Sequence, residues 1–413
     1  MQISAKISPY ACLNIDCNWS EWIRALRRAI YTKENPKELA FRIANYFSSK
    51  DNAIVTISVR TAYNLFLDCL DLPAGSEVIM SAINIPEMLR ITRMHGLVPV
   101  PVDLDIDTLA TTPERIEEAI TSRTKAVLIS FVYGVTYDLA EIAKVTSKHN
   151  LLLVEDCAEG FAGPNYKGDP SADVTFFSFG PIKHATAFGG GVVVVRGNEN
   201  LLGKMKHTHS NYPTQPKSVY LKKVLKYSIG ILALNTRWSN KLIRVTSKKL
   251  KIDYKKKVVG LMRGFPPGRS LDMYKFQPCA PLLSFLYRRL KYFDEELFTK
   301  GMQKVEAGTE ILKKAGVVVP GSAHKPRNYW LYPIAAENTS KVYDELNSKG
   351  IDAFRGVSQL DRVKAPEGSS FKEPRNVEEM FQKLVYLPIH KDVPVDDIKA
   401  MCREIARIVG PKL

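Results

Sequence analysis

The chain has 413 residues, 45% of them hydrophobic, enough for a large core and two domains. Its formal net charge is +16, and its six cysteines are scattered without CxxC spacing, which argues against a disulfide scaffold or a zinc site and for reduced thiols. The opening stretch MQISAKISPYACLNIDCNWSEW lacks the charge order of a signal peptide, and no apolar run is long enough to cross a bilayer, so a cytoplasmic protein is expected.

In chain order, short β-branched runs alternate with helical ones. AIVTIS (53–58), EVIMS (77–81), VPVPVDL (98–104), KAVLISF (125–131), LLLVED (151–156), VTFFSF (174–179) and GGVVVVR (190–196) read as strands. TAYNLFLDCL, PEMLRITRMHG, PERIEEAI and DLAEIAKVTSKHN read as helices following the first four. Continuous apolar strands alternating with helices predict an α/β fold with a mostly parallel seven-stranded sheet covered on both faces. The segment 200–269 is basic, with little strand character. A long helical pattern then runs from Ser270 to Lys314, followed by short strands (VVVP, YWLYPI, LVYLPI) and helices over 339–349 and 394–409, a smaller α/β unit. The expected organisation is 1–199 as an N-terminal segment with a large domain, 200–269 as a basic amphipathic insertion, and 270–413 as a dimer helix with a small C-terminal domain.

Ligands on parallel sheets bind at the carboxyl ends of the strands. Asp156 and Ser178 stand at two such ends, and Lys183 follows just beyond in FFSFGPIKHATAFGGG. A lysine forms a Schiff base with an aldehyde cofactor only if its amine can lose a proton, which burial promotes. Pyridoxal phosphate also requires a carboxylate beside its ring nitrogen, and a phosphate cradle of hydroxyls and helix N-terminal N–H groups. Ser58 to Thr61, between a strand and a helix, supplies such a turn. Singly, each signal has a plainer reading: the aspartate as a helix cap, the serine as a turn residue, the lysine as a snorkelling surface residue. The ordered set decides against those readings.

VEDCAEGF and FFSFGPIKHATAFGGG, with PAGSEVIMSA, VPVPVDLDIDTL, ITSRTKAVLISFVYG and YLPIHKDVPVDDIKAM, resemble the DegT/DnrJ/EryC1/StrS aminotransferases. The resemblance implies a fold-type-I, pyridoxal-phosphate enzyme, homodimeric with its active site at the subunit interface. It implies Lys183 as the Schiff-base lysine, Asp156 as partner of the pyridinium nitrogen and Ser178 as a phosphate ligand. Glu159 falls where the family has a glutamine near the phenolic oxygen. Val59 and Arg60, with Thr61 following, replace a Gly-Thr phosphate pair, and a guanidinium there matches phosphate geometry. Ile85 stands for a stacking aromatic and Gly189 for a glutamate, while Ser270-Leu271-Asp272-Met273 replaces an Asn-x-Arg-Met stretch contributed by the partner subunit. His184, directly after the lysine, reads either as an acid or base or as a packing residue. The cofactor end is retained and the substrate end rebuilt.

Between Lys217 and Lys257 stand thirteen Lys or Arg residues and one acid, Asp253. Arg237, Lys241, Arg244, Lys248 and Lys251 recur at helical spacing as one basic face, beside an apolar stripe of Leu234, Trp238, Leu242 and Val245. The segment reads as a docking face for an anionic membrane surface, as a solvated surface insertion, or as a lid over a charged substrate. No nucleic-acid motif accompanies the charge. The expected reaction moves an amino group from a donor such as glutamate to a keto or aldehyde group on a nucleotide-linked sugar or a lipid-linked polyol, in polysaccharide or lipid biosynthesis. Two alternatives stand beside it: a sugar dehydratase, a class said to replace the lysine by histidine, and a non-catalytic membrane-associated protein that keeps the fold.

Overall fold

A computed structural model describes residues 10–250, 254, 255, 257, 260, 270–324, 329, 331–355 and 360–409. Its large sheet is built from the seven strands expected: β1 (Ala53–Thr56), β2 (Glu77–Ser81), β4 (Val98–Val102), β5 (Thr124–Ser130), β6 (Leu152–Cys157), β7 (Val174–Ser178) and β8 (Gly191–Val195). They lie in the order β1-β8-β7-β6-β5-β2-β4, and β8 alone runs antiparallel to its neighbours. A two-residue ladder joins β3 (Ile83–Asn84) to β10 (Asp361–Arg362).

The pleat sends alternate side chains to opposite faces. Phe176, Val193 and Val195 pack below the sheet with Tyr63, Phe66, Leu201 and Met205. These last four come from α3 (Val59–Leu70) and α7 (Glu199–Ser210). Phe177, Val192 and Val194 pack above it with Leu39, Ile43 and Phe47 of α2 (Pro36–Phe47). Both faces are covered, which is why the strands read as unbroken apolar runs.

Helix starts follow the local chemistry. The Ser58 hydroxyl accepts the Thr61 N–H to cap α3, and Pro86 opens α4 (Pro86–Met94). Thr112 caps α5 (Pro113–Ala119), and α6 (Ala140–Lys148) fills the next crossover.

Two sequence expectations are corrected here. The helical pattern over 270–314 is broken into a 3-10 turn (Leu271–Tyr274), α10 (Ala280–Lys291) and α11 (Glu295–Lys314). Pro278 and Pro281 set the start of α10, and the Asp294 carboxylate caps α11 by accepting the Leu297 N–H at 2.8 Å.

The second correction concerns the basic segment. It folds as α8 (Lys217–Asn235) and α9 (Arg237–Lys249), and α8 is no solvated insertion. Tyr220, Val224, Tyr227, Ile231 and Leu234 form its buried stripe. That stripe packs against α10 and α1 (Trp19–Tyr31), where the Trp22 indole N–H donates to the Val224 carbonyl at 2.9 Å. On α9 the cations do not make one free face. Arg244 pairs with Asp352 at 3.7 Å, and the Arg237 guanidinium lies over the Tyr10 ring at 4.9 Å. Leu234 is buried, whereas Trp238 is 67% and Leu242 56% exposed. Lys251 and the side chain of Lys248 lie outside the described residues. Among the described residues no helix is long and apolar enough to cross a membrane.

The C-terminal unit pairs β9 (Tyr332–Ala335) with β11 (Leu384–Leu387), antiparallel. Around them stand α11, α12 (Thr339–Ser348), α13 (Arg375–Lys383) and α14 (Val395–Val409). A Cβ at Gly308 would lie 2.6 Å from Ile398 Cγ2, so glycine sets how closely α11 meets α14. The buried Asp352 carboxylate gathers three parts of the chain: it accepts the Cys12 N–H at 3.0 Å, the Tyr254 hydroxyl at 2.9 Å, and an ion pair from Lys255 at 2.7 Å.

Candidate active site

The carboxyl ends of the central strands converge on one cavity of about 90 Å³. Register places Ser130 beside Asp156 across β5 and β6, and Ser178 beside Gly191 across β7 and β8. β8 passes so close to the start of α3 that a Cβ at Gly191 would sit 2.6 Å from the Val59 nitrogen. Only glycine fits there, which explains the last of the three glycines after the lysine. Ser58, Val59 and Arg60, at the N-terminus of α3, line the cavity together with Ser178. Thr61 does not line it; it is fully buried, and its hydroxyl shares a 3.2 Å hydrogen bond with Ser58.

Lys183 and Asp156 line the same space, so residues far apart in sequence share one site. Asp156 is 6% exposed, and burial pushes its carboxyl up to about 6, against the pull of the Ala158 N–H that it accepts at 2.9 Å. The Lys183 ammonium donates to Glu159 Oε1 at 2.9 Å, while Glu159 Oε2 accepts the Tyr133 N–H at 2.8 Å. Glu159 is therefore held in place and turned to the lysine amine. Burial also lowers the Arg60 guanidinium from its ordinary value.

A second, smaller cavity of about 30 Å³ also has Lys183 in its wall, with His184, Asp16 and His390. Its residues Asn14, Asp16, His390, Lys391 and Asp392 also line a wider groove of about 560 Å³. The His184 ring stands edge-on to Phe298, with centroids 5.1 Å apart.

Residues 21–406 match the DegT/DnrJ/EryC1/StrS aminotransferase family. The chain belongs to that family. A dTDP-4-dehydro-2,6-dideoxy-D-glucose 3-dehydratase of Saccharopolyspora spinosa is 33% identical over 181 residues, 41% of this chain and 39% of that enzyme. The similarity thus spans well under half of that curated relative. Among solved structures, NtdA of Bacillus subtilis with bound cofactor PMP superposes with a TM-score of 0.67 at 17% identity, covering 97% of this chain and 87% of NtdA. PseC of Helicobacter pylori, an aminotransferase involved in the biosynthesis of pseudoaminic acid, gives 0.67 at 17% identity, over 97% of this chain and 99% of PseC. At such identities these structures show the fold.

The donor set fits the pyridoxal phosphate implied by the resemblance. A lysine amine, a buried carboxylate and a hydroxyl-lined helix N-terminus share one cavity, as that cofactor requires. Of this family member's departures, Ile85 and Gly189 line the cavity, while Ser270 caps the 3-10 turn by accepting the Asp272 N–H. Sequence reasoning missed Asn84, Ser130, Lys223 and Tyr227 in the wall. The last two come from α8. The four-and-three spacing of Tyr220, Val224, Tyr227, Ile231 and Leu234 was the signal that this helix packs inward.

Proposed function

We propose that the chain is a pyridoxal-phosphate aminotransferase that passes an amino group, from a donor such as glutamate, to a keto or aldehyde group of a sugar or polyol. The observation that carries this reading is the placement of Lys183, Asp156 and the start of α3 around one cavity. When bound, the cofactor supplies an electron sink for the substrate carbon. Lys183 would hold it through Nζ and, once freed, would carry the proton to and from that carbon. Asp156 holds the ring nitrogen protonated, and Glu159 positions the lysine amine. Ser178, Arg60 and the Val59 end of α3 bind the phosphate, with Thr61 fixing the Ser58 hydroxyl. The acceptor enters by the groove that shares Asp16 and His390 with the lysine's second cavity. A nucleotide-linked sugar is the first candidate acceptor, and a lipid-linked polyol the second. Retention of Lys183 favours transfer over dehydration. Residues 1–199 serve as the cofactor domain and 270–413 as the small domain and dimer helix, with a homodimer as the working state.

Borohydride reduction of the protein mixed with pyridoxal phosphate should fix the cofactor on Lys183, read by peptide mass spectrometry. Cofactor fixed on a different lysine, or none fixed after reconstitution, overturns the assignment.

A second property has its own support: the chain docks peripherally on an anionic membrane surface. Trp238, Leu242, Val245 and Leu250 are exposed along α9 and its end, with Leu225, Ile229 and Leu232 exposed on α8, and Lys241 and Lys249 exposed among them. An apolar strip with an interfacial tryptophan and flanking cations suits a lipid surface.

A further inference from the structure

The helix α8 was read above as an extra basic segment, yet two of its residues reach the cofactor cavity. Tyr227 stacks on Phe188 with centroids 5.5 Å apart, and the Tyr220 hydroxyl donates to the Ala187 carbonyl at 3.0 Å. These contacts fix the helix against the loop between Lys183 and the glycines. One turn from Tyr227, Lys223 joins Arg60, Ser58 and Ser178 in the cavity wall. Among the described residues no carboxylate pairs with Lys223, so it is a half-buried cation beside a second cation, Arg60.

The Arg60 charge, which Glu87 partly offsets, still acts on Lys223 across that partly desolvated wall, and like charges repel. An anion between them removes that repulsion, and the helix N-terminus at Val59 favours an anion at the same spot. The cofactor's phosphate is the anion that the rest of the wall is built to take.

We infer that Lys223 is a second cationic ligand of the cofactor phosphate, supplied by α8 of the same chain. This rests on the proposed cofactor reading and adds to it a ligand that the family resemblance does not supply. It also gives α8 a task inside the site, where the resemblance places a stretch of the partner subunit and this chain has Ser270-Leu271-Asp272-Met273 instead. The Lys223 amine is pushed down to about 8, mainly by burial and then by Arg60, so its charge near neutral pH is one that a bound phosphate would secure.

The test compares the full-length parent with Lys223→Met and Lys223→Arg. Each is titrated with pyridoxal phosphate and, separately, with pyridoxal, which lacks the phosphate, following visible absorbance. Lys223→Met should bind pyridoxal phosphate about ten- to a hundredfold more weakly, the size of one charge-assisted hydrogen bond. Its pyridoxal affinity should change less than about twofold, and Lys223→Arg should recover most of the loss. Equal weakening toward both compounds, or toward neither, overturns the inference.

Labelling of the parent with an amine acylating reagent avoids any folding defect in the variant. Pyridoxal phosphate and inorganic phosphate should each protect Lys223, and pyridoxal should not. Lys223 labelled equally under all conditions overturns the inference as well. Borohydride fixation on Lys183 in the same samples keeps the two claims apart. A parent that fixes no cofactor refutes the cofactor reading, whereas normal fixation with no effect at Lys223 refutes this inference alone.

Discussion

Asp156 combines two demands that oppose each other. The resemblance asks it to be charged beside a pyridinium nitrogen, while burial lifts its carboxyl to about 6. Its folded value lies above the ordinary one, so the folded chain holds that proton more tightly than the unfolded chain. The stability this contributes is full below about pH 4 and is lost as pH rises through about 6. Asp156→Asn removes the buried charge. The cofactor-free variant should therefore resist urea more than the parent at about pH 8, by about 2–3 kcal/mol, and the gap should shrink below about pH 6 and close by about pH 4. The same variant should keep covalent cofactor yet lose most turnover, because an unprotonated ring is a poor electron sink. Equal stability across the pH range would place the aspartate's environment elsewhere. Glu159 invites a kinetic test. Its 2.9 Å pair with Lys183 must break before the amine can bond to a carbonyl carbon. Glu159→Gln keeps the shape and the bond from Tyr133 but removes the attraction. Cofactor capture, followed by stopped-flow absorbance, should speed up several-fold, by about 1 kcal/mol in barrier. Slower capture would mean that the carboxylate assists attachment.

At the level of elements, the large sheet and the helices around it were legible because the strands are buried on both faces and the helices begin at recognisable caps. EVIMS became β2 without a change of boundary, and the Ser58 turn became the cap of α3. Asp156, Ser178 and Lys183 were legible for the same reason: strand ends of a parallel sheet must converge, whatever packs around them. The basic segment was misread because charge counted by position hides where each charge points. Arg244 looked like a member of an exposed row, but its partner Asp352 is distant in sequence. Lys223 was invisible for the converse reason, since nothing local tells a lysine beside a buried stripe from one in solvent. The exposed face of α9 carries Trp238, Leu242 and Val245, and the proposed docking on a membrane is tested there. Trp238→Asp combined with Leu242→Asp should abolish sedimentation with liposomes rich in anionic lipid while leaving cofactor binding intact. A parent that ignores such liposomes at low salt, or a variant that binds like it, refutes docking. A change in oligomer size instead would assign the strip to a second copy of the chain.

The whole molecule is tied together at one carboxylate. Asp352 holds Lys255 and Tyr254 beyond α9, the backbone of Cys12 near the N-terminus, and its own place in the small unit. Removing one member of a buried ion pair leaves its partner uncompensated, so Asp352→Asn should destabilise the fold by about 3–5 kcal/mol, measured by urea unfolding at neutral pH. A loss under about 1 kcal/mol would show the cluster to be screened like a surface pair. The mooring also has a mechanical side. The segment anchored at Cys12 continues directly into Asn14 and Asp16, which form the wall of the groove beside Lys183. His390 and Asp392, carried by the unit that Asp352 belongs to, join them directly: the Asn14 amide donates to the Asp392 carboxylate at 2.9 Å, and Lys391 pairs with Asp16 at 3.0 Å. The wall is therefore braced at two points, the Asp352 carboxylate and these direct bonds along it, and a substitution at either point loosens the lining of the groove.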